Sequence, residues 1–488
     1  MEQEPMAGYS GTPSVLTETV ASRPPTPFLW RAAIGAAIIA LAGLAWALHE
    51  QIGPRGQAVV GVFCFFGLVA MFSTNLRSVN WRTIGWGIAL QIILAVLVLK
   101  VPFINNCLTA VKNVVVSFIS FSDKGAQFVF GNLADPDSMH NVFAKDFLFP
   151  FAFKALPPIL FISAFFTMLY HYGILQRIVQ LMAKVMVHLM GTSGAETLSV
   201  SANVFMGQTE APLIIKPYVP RMTNSELFVL MASGMAHISG ALMVVYISYG
   251  ADPVAVLTTC IMACPCCLYL SKLFMPEIGK PETAGTVHMH KEKSPYVNGI
   301  DAITAGTTDG LKLALNVAAM LIVFIAFVAL FDGLLGCLKP VLEWAHFHPG
   351  GWADNLSLAK IFGWIFSPAA FLMGVDPHDV PQVASLLGDK LAINEHFAFL
   401  QMRTMLPVIN PQTHEVIQAG LMDPRSFALT AFALTGFANF SSVGIQLGGI
   451  GAIAPERRHD LARLGLRALF VGFVATLLNA AVAGIFLS

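Results

Sequence analysis

The chain alternates between long apolar runs and short polar connectors, and the run lengths predict its architecture. A helix that crosses a bilayer needs about 20 mainly apolar residues. Charge-free runs of that order lie at Ala32–Leu48, Gly56–Leu76, Thr83–Leu99, Ala155–Gln176, Leu227–Ala251, Pro253–Ser271, Leu313–Phe331, Ser426–Pro455 and Ala468–Ser488. Thr197–Thr209, Ile361–Val375 and Val380–Gly388 are too short or too polar to span alone, yet more apolar chain follows each. Interrupted segments of this kind suggest re-entrant hairpins or broken helices. The longest polar connector, Pro276–Gly310, carries both signs of charge and is expected to be a surface loop.

Composition agrees with the pattern. Of 488 residues, 56% are hydrophobic and 11% charged, against about 25% charged in a soluble domain. The 28 basic and 28 acidic side chains cancel. Disorder requires low hydrophobicity, nucleic-acid binding a basic excess, and a disulfide scaffold a short, Cys-dense chain. What remains is an all-α polytopic membrane protein. Met1–Arg31 is rich in Ser, Thr and Pro, with acids at Glu2, Glu4 and Glu18. It lacks the basic start of a secretory signal and reads as a disordered tail. Basic residues cluster on the cytoplasmic side of span ends. Arg77 and Arg82 in one turn, and Arg457, Arg458, Arg463 and Arg467 in another, put the N-terminus inside and Ser488 outside.

Enzyme and metal motifs are weak. Cys260, Cys264, Cys266 and Cys267 invite a zinc reading, but they sit in an apolar run without acids or His. Small polarizable residues there suit close helix packing. His288 and His290 fall in the polar loop and read as solvated. His49-Glu50 does not continue into HExxH, and Gly279-Lys280 precedes Pro281 rather than completing a Walker A.

Ionisable groups at membrane depth are costly and are functional candidates. Three stretches stand out. In Asn203–Leu213, Gly207 and Pro212 bracket Gln208, Thr209 and Glu210. This composition fits a hairpin tip whose backbone meets a cavity. It fits equally a surface turn with a solvated Glu210. In Asp389–Phe397, Asn394, Glu395 and His396 are adjacent between apolar residues, although Asp389 and Lys390 also suit a helix end at the membrane surface. In Gly436–Gly444, Asn439 and Ser442 share a helix face within a charge-free run. Interhelical hydrogen bonding is the plain alternative.

Together these stretches resemble the concentrative nucleoside transporter family. Gly207-Gln208-Thr209-Glu210-Ala211-Pro212-Leu213 resembles its first re-entrant hairpin, Lys390–Phe399 its Asn-Glu helix, and Gly436–Ser442 the helix completing the site. Ala454–Arg458 and Leu461–Ala468 resemble the segment that follows. Similarity runs from about Phe63 to the end, with Met1–Gly61 additional. The resemblance implies a homotrimer with a fixed scaffold and a moving transport domain. That domain would hold two re-entrant hairpins and two broken helices in an inverted repeat. The second hairpin is expected near Ile361–Leu387 and an interfacial helix at Phe103–Phe121. The chain then divides into a tail (1–30), N-terminal scaffold helices (31–101) and an interfacial helix with connector (102–146). A scaffold helix, first hairpin and broken helix (147–275), a polar loop (276–310), and a second scaffold helix with connector (311–356) follow. The second hairpin with the substrate-binding helices (357–455) and a C-terminal helix (456–488) end it.

The implied substrate is a nucleoside imported across the inner membrane. By similarity Gln208, Thr209 and Glu210 read the base. Glu395, Asn439 and Ser442 hold the ribose, and Phe437 and Leu242 give apolar contact. Gln208 can donate and accept, and a carboxylate suits paired hydroxyls. The family's sodium site maps onto Asn203, Met206, His237 and Ile238. His237 departs from it, because imidazole is a softer ligand better suited to transition metals. Either the ring turns away and Ser239 or water supplies the oxygen, or coupling is to H⁺ through His237 or a buried Glu210. His396 is a second departure, with no assigned role. The resemblance calls for no cofactor beyond co-transported H⁺ or Na⁺, and for no nucleic acid. A nucleobase carrier, a channel and a membrane-embedded hydrolase are the competing classes.

Overall fold

A computed structural model describes residues 25–102, 117, 120–134, 151–154, 156–286, 296–338, 356–406, 408–409, 416–418 and 420–487. Most of the expected interfacial helix, residues 1–24 of the tail, and His288 and His290 lie outside these. Three helices lead: α1 (Phe28–Ala47), α2 (His49–Met71) and α3 (Trp81–Lys100). Helix α1 thus begins three residues inside the expected tail.

Next come α4 (Leu156–His171) and α5 (Ile174–Met190), bent by 75° at their junction. The run expected as one span over Ala155–Gln176 is therefore a helix only to His171, with its last residues starting the next helix. Gly173 takes a left-handed conformation (φ 73°) that ends one helix and starts another. Helix α6 (Gly194–Ala202) opens with a reciprocal capping box between Ser193 and Glu196. After it, the chain turns through Asn203–Glu210 and the short 3-10 segments Ala211–Ile215 and Val219–Arg221.

Helices α7 (Asn224–Ala236) and α8 (Gly240–Ser248) form a broken span, and α9 (Pro253–Phe274) follows. Helix α10 covers 38 residues, Gly299–Gly336. It takes over the last turns of the expected loop, so only the earlier part of Pro276–Gly310 is connector. Then come α11 (Leu358–Leu372), α12 (Val380–Ala392) and α13 (Glu395–Arg403). A small antiparallel ribbon pairs β1 (Val408–Ile409) with β2 (Val416–Gln418), an exception to the all-helical expectation. A second broken span, α14 (Pro424–Leu434) and α15 (Phe440–Ile453), leads into α16 (Arg458–Phe486).

The order repeats: a helix (α5 or α11), a hairpin, a broken span, a long helix. The two hairpins enter from opposite ends of the bundle. Arg82 Nη2 donates to the His188 carbonyl (3.0 Å), Thr74 N to that of Phe274 (2.8 Å), and Arg457 Nη1 to that of Met222 (2.6 Å). Both basic turns therefore share a face with the base of the first hairpin. At the other end, Arg425 bonds the Leu487 and Gly484 carbonyls, and Asp423 N donates to Asp379 Oδ2. Helix α12 starts there. Helices α11 and α12 pack on each other, but the turn that reaches the interior is Ile393-Asn394, one element later than expected. The second hairpin is thus Val380–Arg403, not Ile361–Leu387. Short apolar runs alone do not say which turn points inward. Asp389 and Lys390 are buried, so they do not mark a surface helix end. Lys390 Nζ donates to Ala433 O (2.7 Å) and Thr476 Oγ1 (2.8 Å).

Helices α4 and α10 form one close seam. A Cβ on Gly306 would stand 2.7 Å from Ala164 Cα, and one on Gly310 2.9 Å from Leu160 Cα. Two glycines four apart let the backbones approach.

Candidate functional site

The site is built where the two broken spans cross. Helix α7 stops at Ala236, and Ser239 caps α8. Helix α14 stops at Leu434, and Asn439 caps α15 by accepting from Ser442 N (2.9 Å). Between these halves Gly436 adopts φ 149°, a region that favours glycine. A side chain there would meet Thr476 Cγ2 at 2.7 Å and the Met235 and Ala236 carbonyls at 3.1 Å. The breaks are joined directly: Phe437 N donates to His237 O (3.0 Å). Half-helix ends at membrane depth expose backbone groups that ligands can use.

A cavity of about 390 Å³ opens at this crossing, within the usual roughly 300–1,000 Å³ of ligand pockets. Gln208, Thr209, Glu210, Leu242, Glu395, Phe437, Asn439 and Ser442 all line it. A larger cavity of about 630 Å³, between α3–α5 and α8–α9, is walled by apolar side chains and takes none of these eight.

The polar walls are linked in two sets. In one, Glu395 accepts from Tyr246 OH at Oε1 (2.8 Å) and from Asn439 Nδ2 at Oε2 (2.8 Å). Asn439 Oδ1 meanwhile accepts from Ser441 Oγ (2.7 Å). This carboxylate is 4% exposed, and its remaining lone pairs can accept hydroxyls. In the other set, Gln208 Nε2 donates to Ser442 Oγ and Gln208 Oε1 accepts from Gln446 Nε2, both at 3.1 Å. The Glu210 carboxylate is exposed in the cavity wall and accepts from Gly207 N (3.1 Å). Asn394 serves its helix instead, capping α13 by accepting from Phe397 N (2.8 Å).

None of the four expected ion residues lines this cavity. Asn203 is buried, its Nδ2 donating to Ser233 Oγ (2.6 Å) while Oδ1 has no protein partner. His237 is engaged on both ring nitrogens, Nδ1 with Ser233 O (2.8 Å) and Nε2 with Cys264 Sγ (3.4 Å). Its carbonyl already accepts from Phe437. Met206 N closes the turn onto Ala202 O (2.9 Å), and Ile238 is fully buried. The clustered thiols of α9 are spread among neighbours, Cys266 toward Tyr269 and Cys267 toward Ser271.

Several wall residues escaped the sequence reading. Ser163 of α4 and Asp309, Lys312 and Asn316 of α10 face the cavity. The last three fall at i, i+3 and i+7, a polar stripe legible in retrospect. Asp309 Oδ1 lies 3.6 Å from Lys312 Nζ. Tyr246 and Gln446, which anchor Glu395 and Gln208, look like ordinary core in one dimension.

The chain matches known proteins over most of its length. Residues 60–133 match the description "Na+ dependent nucleoside transporter N-terminus", 152–253 "Nucleoside recognition", and 255–484 "Na+ dependent nucleoside transporter C-terminus". An uncharacterized transporter of Haemophilus influenzae is 36% identical over 434 residues, covering 88% of this chain and 97% of that protein. The chain belongs to the concentrative nucleoside transporter family. Sodium/nucleoside cotransporter 1 of Rattus norvegicus is likewise 36% identical, over 92% of this chain and 67% of its own length. The solved structure of CNTnw in an inward-facing substrate-bound state has TM-score 0.79 at 33% identity, covering 88% of this chain and 97% of that one. A doubly substituted CNTnw in an outward-facing state gives 0.80 at 32% identity, covering 89% and 98%. The hydrolase alternative falls away, since family and relatives are transporters rather than enzymes.

Proposed function

We propose that this protein is a secondary-active symporter that imports nucleosides across the inner membrane, driven by a cation gradient. Family membership supports the transport class. The carrying observation is chemical: an amide–hydroxyl set at Gln208 and Ser442 and a buried carboxylate–amide pair at Glu395 and Asn439 share one cavity. The first suits the donors and acceptors of a base, the second the hydroxyls of a ribose. A free nucleobase would leave Glu395 and Asn439 without sugar partners, which disfavours that carrier.

Alternating access proceeds by an elevator movement of the hairpins and broken spans against α4 and α10 in a homotrimer. Ser163 and the α10 stripe then meet substrate in one state and leave it in another. Resemblance to structures in inward- and outward-facing states supports this reading. The shared face of the two basic turns is cytoplasmic, with the N-terminus there and the C-terminus periplasmic.

The cation is Na⁺, held by Asn203 Oδ1 with carbonyls of Met206 and Ile238, and His237 turned aside. The unpartnered buried oxygen of Asn203 supports it, because an unsatisfied buried acceptor is costly and oxygen suits a hard cation. Proton coupling at His237 is the second reading, in which Nε2 takes up the proton in place of its contact with Cys264 Sγ. Uptake into proteoliposomes, with a panel of nucleosides and free bases, with and without Na⁺ at two pH values, tests the substrate and the cation. Uptake that follows a Na⁺ gradient at fixed pH sinks the proton reading, and uptake of bases but not nucleosides sinks the substrate.

A further inference from the structure

The larger apolar cavity, about 630 Å³ between α3–α5 and α8–α9, takes no part in the site above. Protein interiors hold few voids larger than a water molecule, so a gap of this size in a membrane protein invites an occupant. Its α5 wall is Ile178, Leu181, Met182, Val185 and Met186. Among the described residues, Ile178, Leu181 and Val185 stay 44%, 66% and 46% exposed. The cavity therefore opens sideways past α5. That helix has the build of one lying on a membrane surface. It bends 75° away from α4, so it runs near the bilayer plane when α4 crosses it. Its last carbonyls, at His188 and Leu189, accept from Arg82, which sets it on the face of the two basic turns. Ile174–Met190 contains no Asp or Glu. Arg177 and Lys184, seven apart, share one face. Both are exposed, with no ion pair among the described residues.

The basic stripe runs beside the apolar one. Arg and Lys rest their stems on apolar surface and hold their charge at headgroup level. We propose that this cavity is a lipid site: a phospholipid with a net negative headgroup inserts one acyl chain between α5 and α8 and sets its phosphate against Arg177 and Lys184. A second copy of the chain would have to bring acids to both cations, whereas the cytoplasmic leaflet supplies negative charge. Helices α4 and α8 pack on each other beside the cavity. The lipid thus sits at a contact that the proposed elevator movement slides, on the helix that leads from α4 into the first hairpin.

The test reconstitutes the full chain in phosphatidylcholine vesicles with a small share of either phosphatidylglycerol or phosphatidylcholine carrying a photoreactive group in one acyl chain. Adducts are mapped by peptide mass spectrometry after irradiation. Met243 and Val244 line the cavity and are 6% and 5% exposed, so adducts there mark an inserted chain rather than lipid at the rim. Phosphatidylglycerol should label them roughly five- to thirtyfold more than phosphatidylcholine, the range for one to two cations near an anionic surface. Arg177→Gln with Lys184→Gln abolishes that preference, and Arg177→Lys, which keeps the charge, retains it. Val185→Trp fills the mouth and lowers labelling by both lipids. All three variants change exposed side chains, and an unchanged melting temperature shows that each is folded. Equal labelling by the two lipids, or a preference that survives the double substitution, means bulk lipid only and overturns the inference. So does labelling indifferent to Val185→Trp. Absence of adducts at Met243 and Val244 overturns it too, and is the result expected if a second copy covers the mouth.

Discussion

Replacing Glu395 with Gln gives a well-defined test of the ribose end. The native carboxylate accepts from Tyr246 OH and Asn439 Nδ2 at 2.8 Å each. A Gln carbonyl oxygen keeps the tyrosine bond, but its amide nitrogen then faces a second donor, the Asn439 amide. Asn439 has no easy escape. Its Oδ1 caps α15 through Ser442 N and accepts from Ser441 Oγ, so flipping the amide breaks the cap. The substitution thus removes the charge that strengthens hydroxyl bonds and sets two donors against each other. Hydrogen bonds to charged groups contribute about 1.5–3 kcal/mol, so uridine uptake below saturation should fall roughly ten- to hundredfold. A nucleoside lacking the 2′ and 3′ hydroxyls never used that carboxylate, so its slower uptake should change little. Initial rates of both substrates in proteoliposomes, corrected for reconstituted protein, give the ratio. If Glu395→Gln keeps the parent's preference for the hydroxylated sugar, Glu395 does not bind ribose and the orientation argued here is wrong.

Three further changes probe the supports. Tyr246→Phe leaves the stack on Phe399, 4.5 Å between centroids, and removes the bond to Glu395. Uptake of every ribonucleoside should fall by about three- to tenfold with little change in thermal stability, and a fall confined to one base would contradict this. Asn203→Ala deletes the unpartnered oxygen; the Na⁺ concentration for half-maximal uptake should rise at least severalfold, and an unchanged value removes Asn203 from the ion site. Gly306→Leu forces a side chain where even a Cβ stands 2.7 Å from α4. Overpacking costs about 1–3 kcal/mol, so the purified protein should melt several degrees lower, and an unchanged melting temperature would mean the seam is looser than drawn.

The membrane class and most span positions were legible in the chain, and the eight residues named from the polar clusters and the family resemblance line one cavity. Length and apolarity are local properties, and a Glu or Asn in an apolar run announces a cost that only a ligand or partner offsets. The clusters at Gln208–Glu210, Asn394–His396 and Asn439–Ser442 carried that signal without any contact being known. Tertiary structure alone decided which turn became the second hairpin, since neither Ile361–Val375 nor Val380–Gly388 is long enough to span alone and neither run says which turn points inward. It also bent the run at Gly173, drew α10 back into the expected loop, and turned His237 onto Ser233 and Cys264. Above all it brought two helix breaks, 200 positions apart at Phe437 and His237, into one hydrogen-bonded crossing. Each break leaves backbone groups without helical partners, and nothing in either segment says where they are satisfied. That pairing depends on chain remote in sequence, and it turns separated polar clusters into a single site.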